Sequence, residues 1–490
     1  MNFLSNITSV FKEHAARPAF CIQNKQYSYA ELQSLISAIQ VKIKENCAGE
    51  QNIGIVLHDD IETYASVIAI FLLGKTYIPI HPGYPVERAG QIFEQAGIKY
   101  LLARTNNDTY TGVVTLATGE ASGIAEAELA CPSFSPDKTN AYILFTSGST
   151  GVPKGVPITY YNLDSFVNAF DALGYKTDHN DRFLQMFELT FDLSVMSYLI
   201  PLSKGACVYT IPDSGMKFTN IYSVLTTHKI TFALMVPSVL ANLRPYFEEI
   251  DLPDMRYSLF CGEALYKDVV SEWMRCVPEA VVENVYGPTE ATIFCLTYRI
   301  TDVNSISEYN GIVTIGQPMR GMEAIVVDDA SAQLPDGEKG ELCLYGNQLT
   351  PGYLSAEKTR EAFFELNGKR YYHTGDIAFI NEDGNFIYCG RVDHQVKIQG
   401  FRIELSEIEF HLRAITGSSN VVALAVNNPN GLMQISVVFE GAETDAEPVL
   451  EVLKTKVPPY MIPAAVHFVA TFPLNTSGKT DRKALQKMIA

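Results

Sequence analysis

The run Tyr142-Ile-Leu-Phe-Thr-Ser-Gly-Ser-Thr-Gly-Val-Pro-Lys-Gly-Val156 carries an apolar stretch into a loop of hydroxyls and glycines with a single lysine. Gly148 and Gly151 let a backbone approach an oxyanion closely, Thr146, Ser147, Ser149 and Thr150 offer hydroxyl donors, and Lys154 adds positive charge. Together these residue types suit a nucleotide phosphate; for so short a pattern the alternative is a structural Gly/Ser turn. A Walker A motif places Gly, Lys and Ser/Thr consecutively and opens a helix, whereas Pro153 and Gly155 flank Lys154 here. A second strand over 156–158 is expected, which makes the loop a strand-loop-strand flap over the phosphates.

Such a flap needs a scaffold, and 490 residues are enough for about three domain-sized units. A hydrophobic fraction of 47% with 19% charged residues, 33 Gly and 24 Pro excludes wholesale disorder, collagen and coiled coil. The net charge of −18 argues against nucleic acid or an anionic membrane as the main partner, because phosphate binding over a surface needs clustered positive charge. A bound phosphate must be held locally. The 9 cysteines are odd in number, scattered and never in a C-x-x-C pair, against a disulfide framework or a zinc site.

Phe3, Leu4, Ile7, Val10 and Phe11 recur at helical spacing without a basic leader. The most apolar segment, 67–73, is far shorter than the ~20 residues that span a bilayer. These features read as a cytoplasmic protein without membrane insertion. A helical pattern over 29–44 alternates with short apolar runs at 53–57, 77–80 and 142–145, which predicts α/β layers with parallel sheet. The turn-rich 381–384 and the polar 390–394 interrupt the pattern. They predict a large multi-layer α/β domain over 1–393, joined by a hinge to a small α+β domain over 394–490 with a helix at 404–412.

Further motifs follow the loop and precede it in order along nearly the whole chain. They are Tyr27-Ser-Tyr-Ala-Glu-Leu32, Tyr77-Ile-Pro-Ile-His-Pro-Gly-Tyr-Pro-Val-Glu-Arg88, Phe191-Asp-Leu-Ser194 and Asn284-Val-Tyr-Gly-Pro-Thr-Glu290. Then come Gly340-Glu-Leu-Cys-Leu-Tyr-Gly346, Gly352-Tyr-Leu354, Tyr372-His-Thr-Gly-Asp376, the segment Gly390 to Leu405, Pro459-Tyr-Met-Ile-Pro463 and Ser477-Gly-Lys-Thr-Asp-Arg482. In this order they resemble the adenylate-forming superfamily. Within it they are most similar to D-alanine:D-alanyl carrier protein ligases and stand-alone nonribosomal peptide synthetase adenylation domains.

The resemblance implies an AMP-forming ligase that uses ATP and Mg²⁺. It places Lys479 between the substrate carboxylate and the nucleotide oxygens, Glu290 at Mg²⁺ and Thr289 at a phosphate. Such a division suits a hard cation held by few protein oxygens plus phosphates. It puts Asp376 on the ribose hydroxyls, Asn284, Tyr286 and Gly287 on the adenine side, and Arg391 at ribose and phosphates. Asp393 becomes the hinge about which the small domain rotates between adenylation and thioester formation.

In the amino-acid branch of the superfamily an aspartate at position 192 pairs with the substrate's α-ammonium. The other pocket positions implied are Leu193, Met196, Ser238, Leu259, Cys261, Val285, Ile293 and Phe294. The bulk of Val285, Ile293 and Phe294 favours a small acid, and the resemblance puts D-alanine first, with glycine, L-alanine or serine as rivals; Cys261 packs rather than reacts. The last match ends at Arg482, so a phosphopantetheine-bearing acyl or peptidyl carrier protein is expected in trans. The rival readings are an acyl-CoA ligase of the same superfamily and a nucleotide-binding regulator without turnover.

Overall fold

In the strand Phe232–Met235, Phe232 and Leu234 enter one apolar cluster while Ala233 and Met235 enter another. Leu259 and Phe260 divide in the same way, as do Phe183 and Leu184. Successive side chains of a strand point to opposite faces, so apolar residues at every position produce a sheet buried on both sides. This sheet has nine strands in the spatial order Gln317–Pro318, Leu296–Ile300, Val281–Tyr286, Tyr257–Phe260, Phe232–Met235, Arg182–Gln185, Cys207–Thr210, Pro18–Ile22 and Lys25–Ser28. Its middle strands pair in parallel.

The computed structural model describes residues 2–106, 109–119, 129, 134–148, 151–213, 215–393, 395–417, 420–428, 431–474 and 480–489. The chain divides into two compact units. One comprises Met1–Pro82, Phe93–Leu144 and Gly155–Val392; the other comprises Gly83–Ile92, Phe145–Lys154 and Asp393–Ala490.

In the larger unit a second, six-stranded sheet contains Asn52–Val56, Thr76–Ile80 and Asn140–Thr146, and a third, antiparallel sheet contains Gly340–Gly346, Lys369–Ile380 and Phe386–Arg391. Helices are started by local chemistry. Ser28 caps Tyr29–Asn46 in a reciprocal capping box with Glu31, which accounts for the Tyr27-Ser-Tyr-Ala-Glu motif. Thr159 and Asn162 do the same for Tyr160–Ala172, and Asp60 caps Ile61–Leu72. The apolar segment 67–73 falls in and just after Ile61–Leu72, a helix buried along nearly all its length. Among the described residues no helix is long and apolar enough to cross a membrane.

In the smaller unit the antiparallel strands Val421–Asn427 and Met433–Glu440 are extended in parallel by Ala465–Val469. The helix Leu405–Thr416 contributes Leu405, Ile408 and Leu412 to the core beside them. A hairpin of Gln395–Ile398 and Phe401–Glu404 turns at Gln399 and Gly400, with φ of 53° and 84°. Two consecutive left-handed residues match the twist of the flanking strands. Glu409 is buried, takes Arg482 Nη2 at 2.5 Å and the Ala423 amide at 3.0 Å, and so ties the start of the terminal helix Arg482–Ile489 to this core.

The sequence pattern differs from the structure at 390–394, where Gly390 and Arg391 complete the strand Phe386–Arg391 instead of interrupting it. The pairing shifts register between Ile377 and Ala378, and Gly390 adopts a φ of 120°. A bulge of this kind carries a ladder through a polar, glycine-containing pattern.

The only tryptophan in the sequence, Trp273, is fully buried, and its Nε1 donates to Ser258 Oγ at 3.0 Å. Trp273→Ala is expected to destabilise the larger unit by about 3–5 kcal/mol. Trp273→Phe keeps a ring, loses the hydrogen bond and is expected to cost about 1–2 kcal/mol. Urea unfolding followed by circular dichroism measures both, and equal costs would contradict this account.

Candidate functional site

In the larger unit Tyr286 and Arg391 converge on one buried carboxylate, Asp376. Asp376 lies on Lys369–Ile380 directly opposite Arg391 in the antiparallel register. Arg391 Nη1 donates to its Oδ1 at 2.6 Å, and Tyr286, at the end of Val281–Tyr286 in the nine-stranded sheet, donates its hydroxyl to Oδ2. Burial, and then the neighbouring Asp376 charge, push the Tyr286 phenol well above its ordinary value, so it serves as a donor at every working pH. A carboxylate has about four acceptor positions, so each oxygen keeps capacity for a further donor such as a ribose hydroxyl. The Asp376 turn is braced in addition by Thr374 Oγ1, which accepts from the Asp376 amide at 3.0 Å, and by Glu341, which accepts from the Gly375 amide at 2.8 Å.

Glu341 belongs to a group with Cys343 and His373 whose ligand atoms all lie within 4.8 Å of one another. The His373 imidazole hydrogen-bonds Glu341 at 2.8 Å, so the group acts as a cross-strand brace beneath the Asp376 turn. Asn284 uses its carboxamide Nδ2 on the carbonyls of Val313 and Thr314, at 3.3 and 2.9 Å, and thereby fixes the segment next to the strand end.

Glu290 is fully buried in the short turn Thr289–Ala291 and accepts from the Tyr353 hydroxyl at 2.6 Å. Beyond the turn Thr292 and Ile293 have φ of 55° and 76°, a left-handed conformation costing about 1–3 kcal/mol per residue and rare for β-branched side chains. Gln348 Nε2 holds this backbone through the carbonyls of Ala291, Thr292 and Phe294. Gly287 is required by close approach, since a Cβ there would lie 2.4 Å from Phe294 Cα. The Glu290 carboxylate is a hard oxygen donor, of the kind that fits Mg²⁺.

Asp192 opens the helix Asp192–Lys204 and is 7% exposed. The helix dipole favours an anion at this end. After burial, its charge is a further cause that raises the phenols of Tyr77 and Tyr142. The Tyr142 hydroxyl is buried with no hydrogen-bond partner among the described residues. Leu193, Met196, Leu259, Cys261, Val285, Ile293 and Phe294 all belong to one buried cluster, where the Phe294 ring meets Phe166 edge-on at 5.1 Å. Ser238 donates its amide to Glu263 Oε2 at 2.8 Å.

The loop residues 145–154 belong to the smaller unit. Thr146 Oγ1 is buried without a hydrogen-bond partner among the described residues. Gly148 is glycine because a Cβ would meet Val152 O at 2.1 Å, and Gly151 has a φ of 76°. Ser147 and Lys154 are described, while Ser149, Thr150 and Lys479 lie outside the described residues. Asp393 is exposed and starts the long C-terminal stretch of the smaller unit. Tyr353, Gln348, Glu341 and Arg482 take part although the sequence motifs assign them no role. For Tyr353 the signal is present in Gly352-Tyr-Leu354.

The chain is 30% identical over 503 residues to a D-alanine--D-alanyl carrier protein ligase of Bacillus velezensis, covering 99% of both chains. It is 33% identical over 497 residues to bacitracin synthase 3 of Bacillus licheniformis; that match takes in 98% of this chain but only 8% of the length of the relative. Among solved structures, the Vibrio cholerae adenylation domain AlmE in complex with glycyl-adenosine-5'-phosphate is 26% identical, with a TM-score of 0.86 over 99% of this chain and 97% of that chain. The family described as AMP-binding enzyme matches residues 8–354, a span that takes in the glycine-rich loop, Asp192, Glu290 and Tyr353, and the chain belongs to that family.

Proposed function

We propose that this protein is an AMP-forming ligase that activates a small α-amino acid, D-alanine first, with ATP and passes it to the phosphopantetheine thiol of a carrier protein. The observation that carries the reading is the buried Asp192 carboxylate at a helix start beside an apolar cluster, in the same compact unit as the Tyr286–Asp376–Arg391 assembly. One end offers a charge partner for an α-ammonium; the other offers hydrogen bonds to a nucleotide. Relatives of full length whose names state D-alanine and a carrier protein support the same reading.

In the first step the amino-acid carboxylate attacks the α-phosphorus of ATP, the bond to the bridging oxygen breaks and pyrophosphate leaves with its electrons. In the second the thiol sulfur attacks the acyl carbon, AMP departs, and the thiol proton is lost to solvent. Two anions must be brought together in the first step, which is the role proposed for Lys479 and for the loop residues Thr146 to Lys154. Glu290 would hold Mg²⁺, which when bound neutralises phosphate charge. Residues 1–393 and 394–490 are taken as the two catalytic bodies, Asp393 as their hinge, and the cytoplasm as the location.

Leu193, Met196, Leu259, Cys261, Val285, Ile293 and Phe294 limit the side chain. Single methylene differences in an apolar pocket are worth only about 1–3 kcal/mol, so preference among small acids is graded, whereas bulky acids are excluded by overlap.

Pyrophosphate exchange across D- and L-amino acids tests the whole reading: small acids should respond, a regulator would show no exchange with any acid, and an acyl-CoA ligase would transfer to coenzyme A. Asp192→Ala should nearly abolish exchange with every amino acid, because losing one member of a desolvated ion pair costs about 3–5 kcal/mol. Fastest turnover of phenylalanine or leucine by the wild type would refute the small pocket.

Lys479→Ala should lower the adenylation rate about 100- to 1,000-fold, the cost of one preorganised transition-state group. Unchanged turnover would remove Lys479 from the mechanism. Asp393→Pro, which restricts φ, should impair thioester transfer far more than adenylate formation if the orientation it freezes is the adenylating one. Equal loss of both half-reactions in a folded variant would count against the hinge.

A further inference from the structure

Within the smaller unit, the anion-binding groups of the glycine-rich loop are engaged by residues of 402–407. The Gly148 amide donates to Glu407 Oε2 at 2.9 Å. Ser147 Oγ donates to the Arg402 carbonyl at 2.9 Å and accepts from the Glu404 amide at 3.1 Å, and Lys154 Nζ lies 3.5 Å from Glu404 Oε1. The second oxygen of Glu407 takes Arg88 Nη1 at 2.7 Å, with the two side chains 0% and 3% exposed. Arg88 Nε and Nη2 are buried without hydrogen-bond partners among the described residues, so Glu407 provides the counter-charge for this guanidinium. The loop is also shaped to this helix, since a Cβ on Gly151 would lie 2.6 Å from the Phe410 ring.

We infer that Glu407 is a positioning residue for the phosphate loop, presenting a carboxylate oxygen to the loop amide that a nucleotide phosphate would take. Carboxylate and phosphate oxygens accept from backbone N–H groups with the same charge-assisted geometry, and one N–H donates well to one of them at a time. Arg88 keeps Glu407 in place through the 2.7 Å pair. ATP phosphates and Glu407 therefore compete for Gly148, and nucleotide binding is coupled to release of the loop from the helix Leu405–Thr416. A protein that must first release an internal anion binds its ligand with an apparent affinity lowered by the fraction of loops already free.

This inference rests on the phosphate-loop reading proposed above, and the experiment separates the two. Removing Glu407 alone strands a buried cation, so the principal variant is the double substitution Arg88→Met, Glu407→Leu, which replaces the pair by apolar groups; such replacements are commonly neutral or stabilising. The KM for ATP in pyrophosphate exchange should fall about three- to tenfold, with the KM for the amino acid unchanged, as expected if the competing anion is gone. Glu407→Gln keeps an uncharged acceptor and should shift the ATP KM in the same direction by less; it carries the test if the double variant does not fold. Lys154→Ala should raise the ATP KM. An unchanged ATP KM in Lys154→Ala would overturn the phosphate-loop reading itself. A raised KM there, with an unchanged or raised ATP KM in a Glu407 variant that melts like the wild type, would overturn the role of Glu407 alone.

Discussion

A single buried carboxylate, Asp376, ties the nine-stranded sheet to the antiparallel sheet that carries it. Tyr286 reaches it from one sheet, and Arg391 meets it from the strand paired with its own. Charged hydrogen bonds of this kind contribute about 1.5–3 kcal/mol each, and a carboxylate buried without them is strongly unfavourable. The relative placement of the two sheets is thus set where a ribose would be read. Asn284, two residues before Tyr286, pins the 313–314 carbonyls, and Thr314 in turn donates to the Phe386 carbonyl on the strand that ends in Arg391. The strand Phe386–Arg391 is therefore held at both of its ends.

Strain is concentrated a few residues further on. The left-handed backbone of Thr292 and Ile293 turns the chain back so that Phe294 passes against Gly287, and Gln348 satisfies three carbonyls of that turn. Glu290 precedes this turn, Ile293 forms part of it and Phe294 follows it. One strained segment therefore sets both the proposed metal carboxylate and the proposed side-chain boundary. A conformation of this cost persists because the surrounding contacts over-determine it.

With a net charge of −18, positive charge is placed at individual atoms such as Arg391 Nη1 and Lys154 Nζ, and the acidic partners Asp376 and Glu404 face them directly. Short-range pairs in buried surroundings are little affected by the distant surface charge that solvent and salt screen.

Local chemistry made part of this legible in the residues alone. The glycine-rich loop is contiguous and its residue types state their use; Ser28, Asp60 and Thr159 announce helix starts; the alternating runs announce buried strands. The ordered motifs pointed to Asp192, Asp376 and Arg391 as a set. The partnership of Asp376 and Arg391 was decided only by the tertiary structure. Whether Asp376 faces Arg391 depends on a register shift between Ile377 and Ala378, and a one-residue slip would turn the side chain to the other face. Tyr353 meets Glu290 across 63 positions, Glu407 meets Arg88 across 319, and Gln348 reaches a turn more than 50 positions away. Nothing local distinguishes Glu407 and Gln348 from an ordinary surface glutamate and glutamine. Their roles come from burial, which requires every polar group to find a partner and leaves to the fold the choice of which.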